Sequence, residues 1–125
     1  MEASQIREDL ENGRDKVIKL VPPIAIGKTK VKKTKRAYRI WIEGKRLEAA
    51  QFSAGEAYKI FYSTENKSII LCANEEGERR VTASRPIIDI HDQTVGKIFN
   101  EGDRLEVRYY EHGMIVFRLE EADEN

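Results

Sequence analysis

Apolar and polar residues alternate through most of the chain, in two sets of segments that follow the same order, and this limits what the sequence can fold into. Ala37-Tyr38-Arg39-Ile40-Trp41-Ile42, Ala57-Tyr58-Lys59-Ile60-Phe61-Tyr62 and Lys67-Ser68-Ile69-Ile70-Leu71-Cys72 form the first set. Arg85-Pro86-Ile87-Ile88-Asp89-Ile90, Arg104-Leu105-Glu106-Val107-Arg108-Tyr109-Tyr110 and Met114-Ile115-Val116-Phe117-Arg118-Leu119 form the second. A two-residue period sends successive side chains to opposite faces, so each segment reads as a half-buried strand. Turn chemistry separates the last two strands of each set: Ser63-Thr64-Glu65-Asn66 in one, Glu111-His112-Gly113 in the other.

The sets match best just ahead of their second strands, where Phe52-Ser53-Ala54-Gly55-Glu56 aligns with Phe99-Asn100-Glu101-Gly102-Asp103 without a gap. Both read Phe-x-x-Gly-acid. The pattern predicts a short helical turn, Leu47 to Gln51 in one copy and Thr94 to Ile98 in the other, followed by an aromatic plug in the core. Glycine then lets the backbone turn at positive φ into the next strand. One copy is too small to close a core, so two are expected to pair and bury both apolar faces. The expected fold is mainly β: a small pseudo-twofold barrel of two repeats, about residues 28–73 and 78–119, with short helical turns. Two β-meanders that share a turn by chance are the alternative.

At 125 residues the chain has room for one domain of ordinary size. Residues 1–27 read as an N-terminal appendage or linker: Ile6, Leu10, Val17 and Leu20 have rough helical spacing, Asn12-Gly13 interrupts it, and Pro22-Pro23 ends it. No apolar run nears the roughly 20 residues of a membrane span, and the first residues lack a signal-peptide core, so membrane insertion and secretion are not expected. The single cysteine, Cys72, lies in an apolar strand and fits a reducing cytoplasm.

Charge is balanced, 22 basic against 22 acidic residues, so any nucleic-acid binding must come from local segregation rather than bulk charge. Lys28, Lys30, Lys32, Lys33, Lys35, Arg36 and Arg39 crowd together without an intervening acid. Residues 120–125 reverse the sign with Glu120, Glu121, Asp123 and Glu124, a solvated tail suited to shielding the basic stretch when no ligand is bound. Catalytic and metal chemistry find little support. His91 and His112 are expected in turns, and no Cys/His set has zinc-ligand spacing. Ser84, His91 and Asp92 are merely close in sequence, and Gly27-Lys28-Thr29 lacks the earlier glycine of a phosphate loop. No enzyme, cofactor or metal is expected.

The second copy, Val95-Gly96-Lys97-Ile98-Phe99-Asn100-Glu101-Gly102-Asp103 with the alternating strand and Gly113 hairpin that follow, resembles the AbrB/MazE superfamily of swapped-hairpin barrels. The first copy, Gly44-Lys45-Arg46-Leu47-Glu48-Ala49-Ala50-Gln51-Phe52-Ser53-Ala54-Gly55, is similar to the SymE-type branch. Gln51 stands where that branch has glycine, Arg46 where it usually has tryptophan, and Pro86 precedes rather than follows the strand that AbrB-like proteins end with proline. The resemblance covers roughly Lys28 to Leu119. It implies DNA binding through a basic face built from the early strands and loops of each half. Most members form the barrel as a dimer; two copies here allow it within one chain, leaving monomer and homodimer both open.

The residues at matching places are Lys32, Lys33, Lys35, Arg36 and Arg39 in the first half, and Arg79, Arg80 and Arg85 in the second. Long cationic side chains neutralise phosphates, and arginine also makes bidentate contacts to guanine; lysines defending a solvated strand edge are the competing explanation. Trp41 and Phe61 have parity opposite to Ile40, Ile42 and Ile60, which marks them for an outward face that stacks on bases or meets another protein. The sequence thus points to a non-enzymatic protein that docks on duplex DNA, a transcriptional regulator or antitoxin-like factor. A SymE-like toxin acting on RNA and a protein-interaction or inhibitor module of a mobile element are the alternatives.

Overall fold

The computed structural model describes residues 22–120; the expected N-terminal helix and all of the acidic tail after Glu120 lie outside them. The chain is mainly β, with antiparallel pairing throughout. Strand β1 spans Ala25–Lys30, β2 Lys32–Lys33 and β3 Tyr38–Glu43. Helix α1, Lys45–Ala49, leads to β4, Ala57–Ser63, and β5, Ser68–Ala73. The second half follows the same course: β6 at Arg79–Arg80, β7 at Ile87–Asp92, α2 at Val95–Ile98, β8 at Arg104–Tyr110 and β9 at Met114–Leu119.

Two sheets result, one of six strands in the order β1-β8-β9-β5-β4-β6 and one of three in the order β2-β3-β7. Their ladders do not close into a barrel. The pairing nonetheless relates the halves: β3 pairs with β7, β5 pairs with β9, and the strand preceding each half, β1 or β6, joins the hairpin of the other. Alternation decides which side chains enter. Ile40 and Ile42 of β3, Ile88 and Ile90 of β7, Ile69 and Leu71 of β5, and Ile115 and Phe117 of β9 fill one interior between the sheets. Phe52 and Phe99, the aromatic plugs, are buried in it.

The Phe-x-x-Gly-acid turn works alike in both halves. Gly55 and Gly102 sit at φ +83° and +85°, a left-handed conformation in which a side chain is strained. Strand ends depart from expectation by one or two residues, and α1 starts earlier than Leu47. The larger departure concerns the basic stretch. The folded strand begins at Ala25, ahead of Lys28, and the basic stretch opens with two strands broken at the buried Val31. Val31 passes the chain from the edge of the large sheet to the edge of the small one. The signal is weak in sequence because each of these strands has one face in solvent and carries lysine there, as edge strands do.

The large sheet is apolar on its outer face as well. Ile70, Cys72, Tyr110, Met114 and Val116 form a second buried cluster, with Phe61 packed against it. The outward parity of Phe61 thus leads to this cluster, whereas Trp41 is 38% exposed on the small sheet.

Candidate functional site

The passage through Val31 creates a crevice between the two sheets. Thr29 and Lys30 at the end of β1, Lys32 of β2, and Arg39 and Trp41 of β3 line a cavity of about 430 Å³. Thr29 Oγ1 donates to the Trp41 carbonyl at 2.8 Å, tying the edge of the large sheet to the centre of the small one. Lys32 lies opposite Arg39 in the β2–β3 register, and Trp41 lies opposite Asp89 in the β3–β7 register, so alternation puts all four on the outer face.

Arg39 is clamped there. Its Nε and Nη2 donate to the two carboxylate oxygens of Asp89, each at 2.8 Å, and its guanidinium lies 4.8 Å from the centre of the Trp41 ring. Donation of these hydrogen bonds to the Asp89 carboxylate raises the Arg39 pKa above the ordinary arginine value. The ensemble is a flat aromatic face with a fixed guanidinium over it and two lysines at its border. Lys30 and Lys32 form no ion pair among the described residues. Such a surface suits a ligand with a negative charge and a flat ring.

The remaining expected cations occupy three other places. Lys35 and Arg36 form the exposed tip of the β2–β3 turn, which Thr34 braces by exchanging hydrogen bonds with Ala37; Gln93 Nε2 donates to the Arg36 carbonyl at 2.9 Å. Lys33 Nζ sits 5.7 Å over the Tyr38 ring. Arg79 is paired with Asp92 at 2.8 Å, Arg80 Nη1 donates to the Gly55 carbonyl at 3.1 Å, and Arg85 lies 3.5 Å from Glu43. Of the expected first-half cations, Lys32 and Arg39 thus line the crevice and Lys35 and Arg36 its neighbouring turn, while Lys33 lies over Tyr38 on the other side of β2. Arg79 and Arg80 are on β6, the far edge of the six-stranded sheet from β1. Lys30 and Thr29 were not among the expected site residues; the alternation Gly27-Lys28-Thr29-Lys30 before an isolated Val31 is the signal that marks them.

Acidic residues collect elsewhere. Glu48, Glu56, Glu75 and Glu76 border a separate cleft of about 760 Å³. Neutral net charge thus conceals local segregation. Glu120, the first acid of the C-terminal run, reaches Lys28 Nζ at 2.9 Å. His91 lies within β7 rather than in a turn, opposite Arg39, with its Nε2 2.7 Å from Thr34 Oγ1. No group of three or more His, Cys, Asp or Glu residues that could hold a metal ion occurs among the described residues. No described helix is long and apolar enough to cross a membrane. Comparison of the chain with protein-family models, curated proteins and solved structures finds no match.

Proposed function

We propose that this chain is a non-enzymatic, cytoplasmic nucleic-acid-binding protein, a transcriptional regulator or antitoxin-like factor that docks on duplex DNA. The observation that carries the reading is the crevice, where Lys30, Lys32 and Arg39 surround the exposed Trp41. Lys35 and Arg36 extend the same positive surface along the adjoining turn. Their ammonium and guanidinium groups neutralise phosphates and release counterions, while Arg39 is stiff enough to read a base edge. Segregation of the acids into another cleft supports the reading, as does the resemblance to swapped-hairpin DNA-binding proteins.

The exposed Trp41 favours a second reading, in which the ligand is unpaired nucleic acid, RNA included. A base stacked on an aromatic ring contributes about 1–3 kcal/mol. The chain has one tryptophan, so its emission reports directly on the crevice. Titration with random-sequence duplex DNA, single-stranded DNA and structured RNA across a salt series tests both. Duplex preference with a steep salt slope supports the first reading, and preference for unpaired strands with strong Trp41 quenching supports the second. A Lys30→Ala/Lys32→Ala double variant that binds like the unaltered chain, or no binding to any of the three at low salt, overturns both and favours a protein partner.

A further inference from the structure

We infer that the edge of β4 beyond β6 takes an extended segment of a partner protein as an added strand. The correspondence between the halves supplies the template. With Gly55 aligned to Gly102, Tyr58, Ile60 and Tyr62 of β4 hold the places of Leu105, Val107 and Tyr109 of β8. β1 runs along β8 with Thr29, Gly27 and Ala25 opposite those three residues, and all three are buried. β6 reaches only Ala57 and Tyr58, and Ile60 and Tyr62 stay half-buried. The backbone is open there too. The Asn74 N–H donates to the Ala57 carbonyl on the β5 side and the Val81 N–H to the Glu56 carbonyl on the β6 side, so alternation turns the N–H and C=O of Ile60 and Tyr62 away from β5. These groups have no hydrogen-bond partner among the described residues, which makes the edge a template for a further strand.

A short connection explains the gap. Residues 74–78 must carry the chain from β5 to the far side of β4, and they cross it at Tyr58, where a Cβ on Gly77 would lie 2.2 Å from the Tyr58 carbonyl oxygen. No residue of this connection is left to pair with Ile60. The template and the charge define the occupant. On the filled edge Gly27 and Ala25 are small, and a Cβ on Gly27 would stand 3.3 Å from the Tyr109 ring. An added strand therefore needs small residues facing Ile60 and Tyr62. The residue between these two falls opposite Phe61 on the other face, diagonal to Lys59. Lys59 is the only charged residue of β4 and forms no ion pair among the described residues. The partner segment is thus extended, small on one face and acidic on the other; main-chain bonds supply its affinity and these side chains its selectivity.

Amide exchange in the full-length chain tests the inference, with light scattering to give its mass. The probes are a blocked peptide that alternates alanine with threonine around a central glutamate, and its lysine counterpart. In the free monomer the Ile60 and Tyr62 amides should exchange fast while that of Phe61, paired with Ile70, stays slow. The glutamate peptide at millimolar concentration should slow Ile60 and Tyr62 about tenfold and the lysine peptide less. Lys59→Glu should reverse that order. Ile60→Pro removes an N–H that bonds nothing in the fold, as edge strands tolerate, and should abolish the effect at Tyr62 with Trp41 emission unchanged. Should the proline variant unfold, the reversal in Lys59→Glu decides. No slowing by either peptide overturns the inference, as does the same order of the two peptides in Lys59→Glu. Slow Ile60 and Tyr62 amides in the free protein also overturn it, assigning the edge to a second copy when the mass is that of a dimer and to the chain itself when it is that of a monomer.

Discussion

Val31 and Val81 make the same pair of backbone hydrogen bonds to the Gly-acid turn of the opposite half. The Val31 N–H donates to the Asp103 carbonyl at 2.9 Å and its carbonyl accepts from Gly102 at 2.9 Å; Val81 does the same with Glu56 and Gly55, at 2.9 and 3.0 Å. Each valine is 1% exposed and follows the strand that its own half lends to the other hairpin. Neither half is complete without the strand and the valine of its counterpart.

Val31→Ala and Val81→Ala should therefore each destabilise the whole domain by about 2 kcal/mol, the cost of removing two buried methyl groups and leaving a small void. Urea unfolding should remain one transition with an unchanged slope. A biphasic transition in either variant would show that the halves unfold separately.

Gln51→Gly should stabilise the protein by about 1 kcal/mol. Gln51 sits at φ +67° just past the end of α1, where its N–H donates to the Glu48 carbonyl at 2.9 Å and the next N–H, of Phe52, donates to Leu47 at 2.7 Å. This is the bonding of a Schellman C-cap, whose left-handed residue is usually glycine. A side chain there costs about 1–2 kcal/mol, reduced by the greater chain entropy glycine brings to the unfolded state. A lowered thermal midpoint would count against this account.

The repeat, the six main strands and the identity of the plugs were legible because alternation and the Phe-x-x-Gly-acid turn are local signals. The left-handed backbone of Gln51, by contrast, had no signal in the sequence, because glycine is the residue that usually marks such a position. The crevice was legible only in part. Clustering identified Lys32 and Arg39, but the inclusion of Lys30 depends on Val31 turning inward. The pairing of Arg79 with Asp92 and of Arg39 with Asp89 is set by which strands become neighbours, and no local pattern encodes that.

Stability should fall on the alkaline side between about pH 10 and 12. Burial, opposed by the nearby Arg79, pushes the Tyr62 hydroxyl up to about 12 from an ordinary value of 10.0. Burial also raises Tyr58, Tyr109 and Tyr110. A raised folded-state value means that the fold favours the protonated hydroxyl, so the contribution is complete below pH 10 and disappears as the unfolded chain ionises first. Tyr62→Phe should shallow the decline in a chemical-denaturation series over that window, and an unaltered decline would remove Tyr62 from its cause.

On the acid side Asp92 carries the opposite sign. The Thr94 backbone N–H, at 2.8 Å, and Arg79 hold its carboxyl below the ordinary 3.8. Its contribution is present above that value and is lost as pH falls through the depressed one. Asp92→Asn should lower stability at pH 7 by up to about 1 kcal/mol, in keeping with a partly exposed ion pair, and should weaken the dependence below pH 4. Equal acid sensitivity in the variant would place the effect on other carboxylates.

Asp89→Asn distinguishes a binding crevice from a merely structural ion pair. Asp89 occupies both carboxylate oxygens with Arg39 and brings negative charge to the border of the cavity. A phosphate approaching Lys30 and Lys32 is repelled by that charge and must compete for the guanidinium. Neutralising it should strengthen duplex DNA binding about tenfold at low salt and steepen the salt dependence by about 0.9, the increment for one added phosphate contact. Lys32→Ala should move both quantities the other way. Weaker binding by a folded Asp89→Asn protein would instead mean that Arg39 reads its ligand only when clamped, and unchanged binding would put the interface elsewhere.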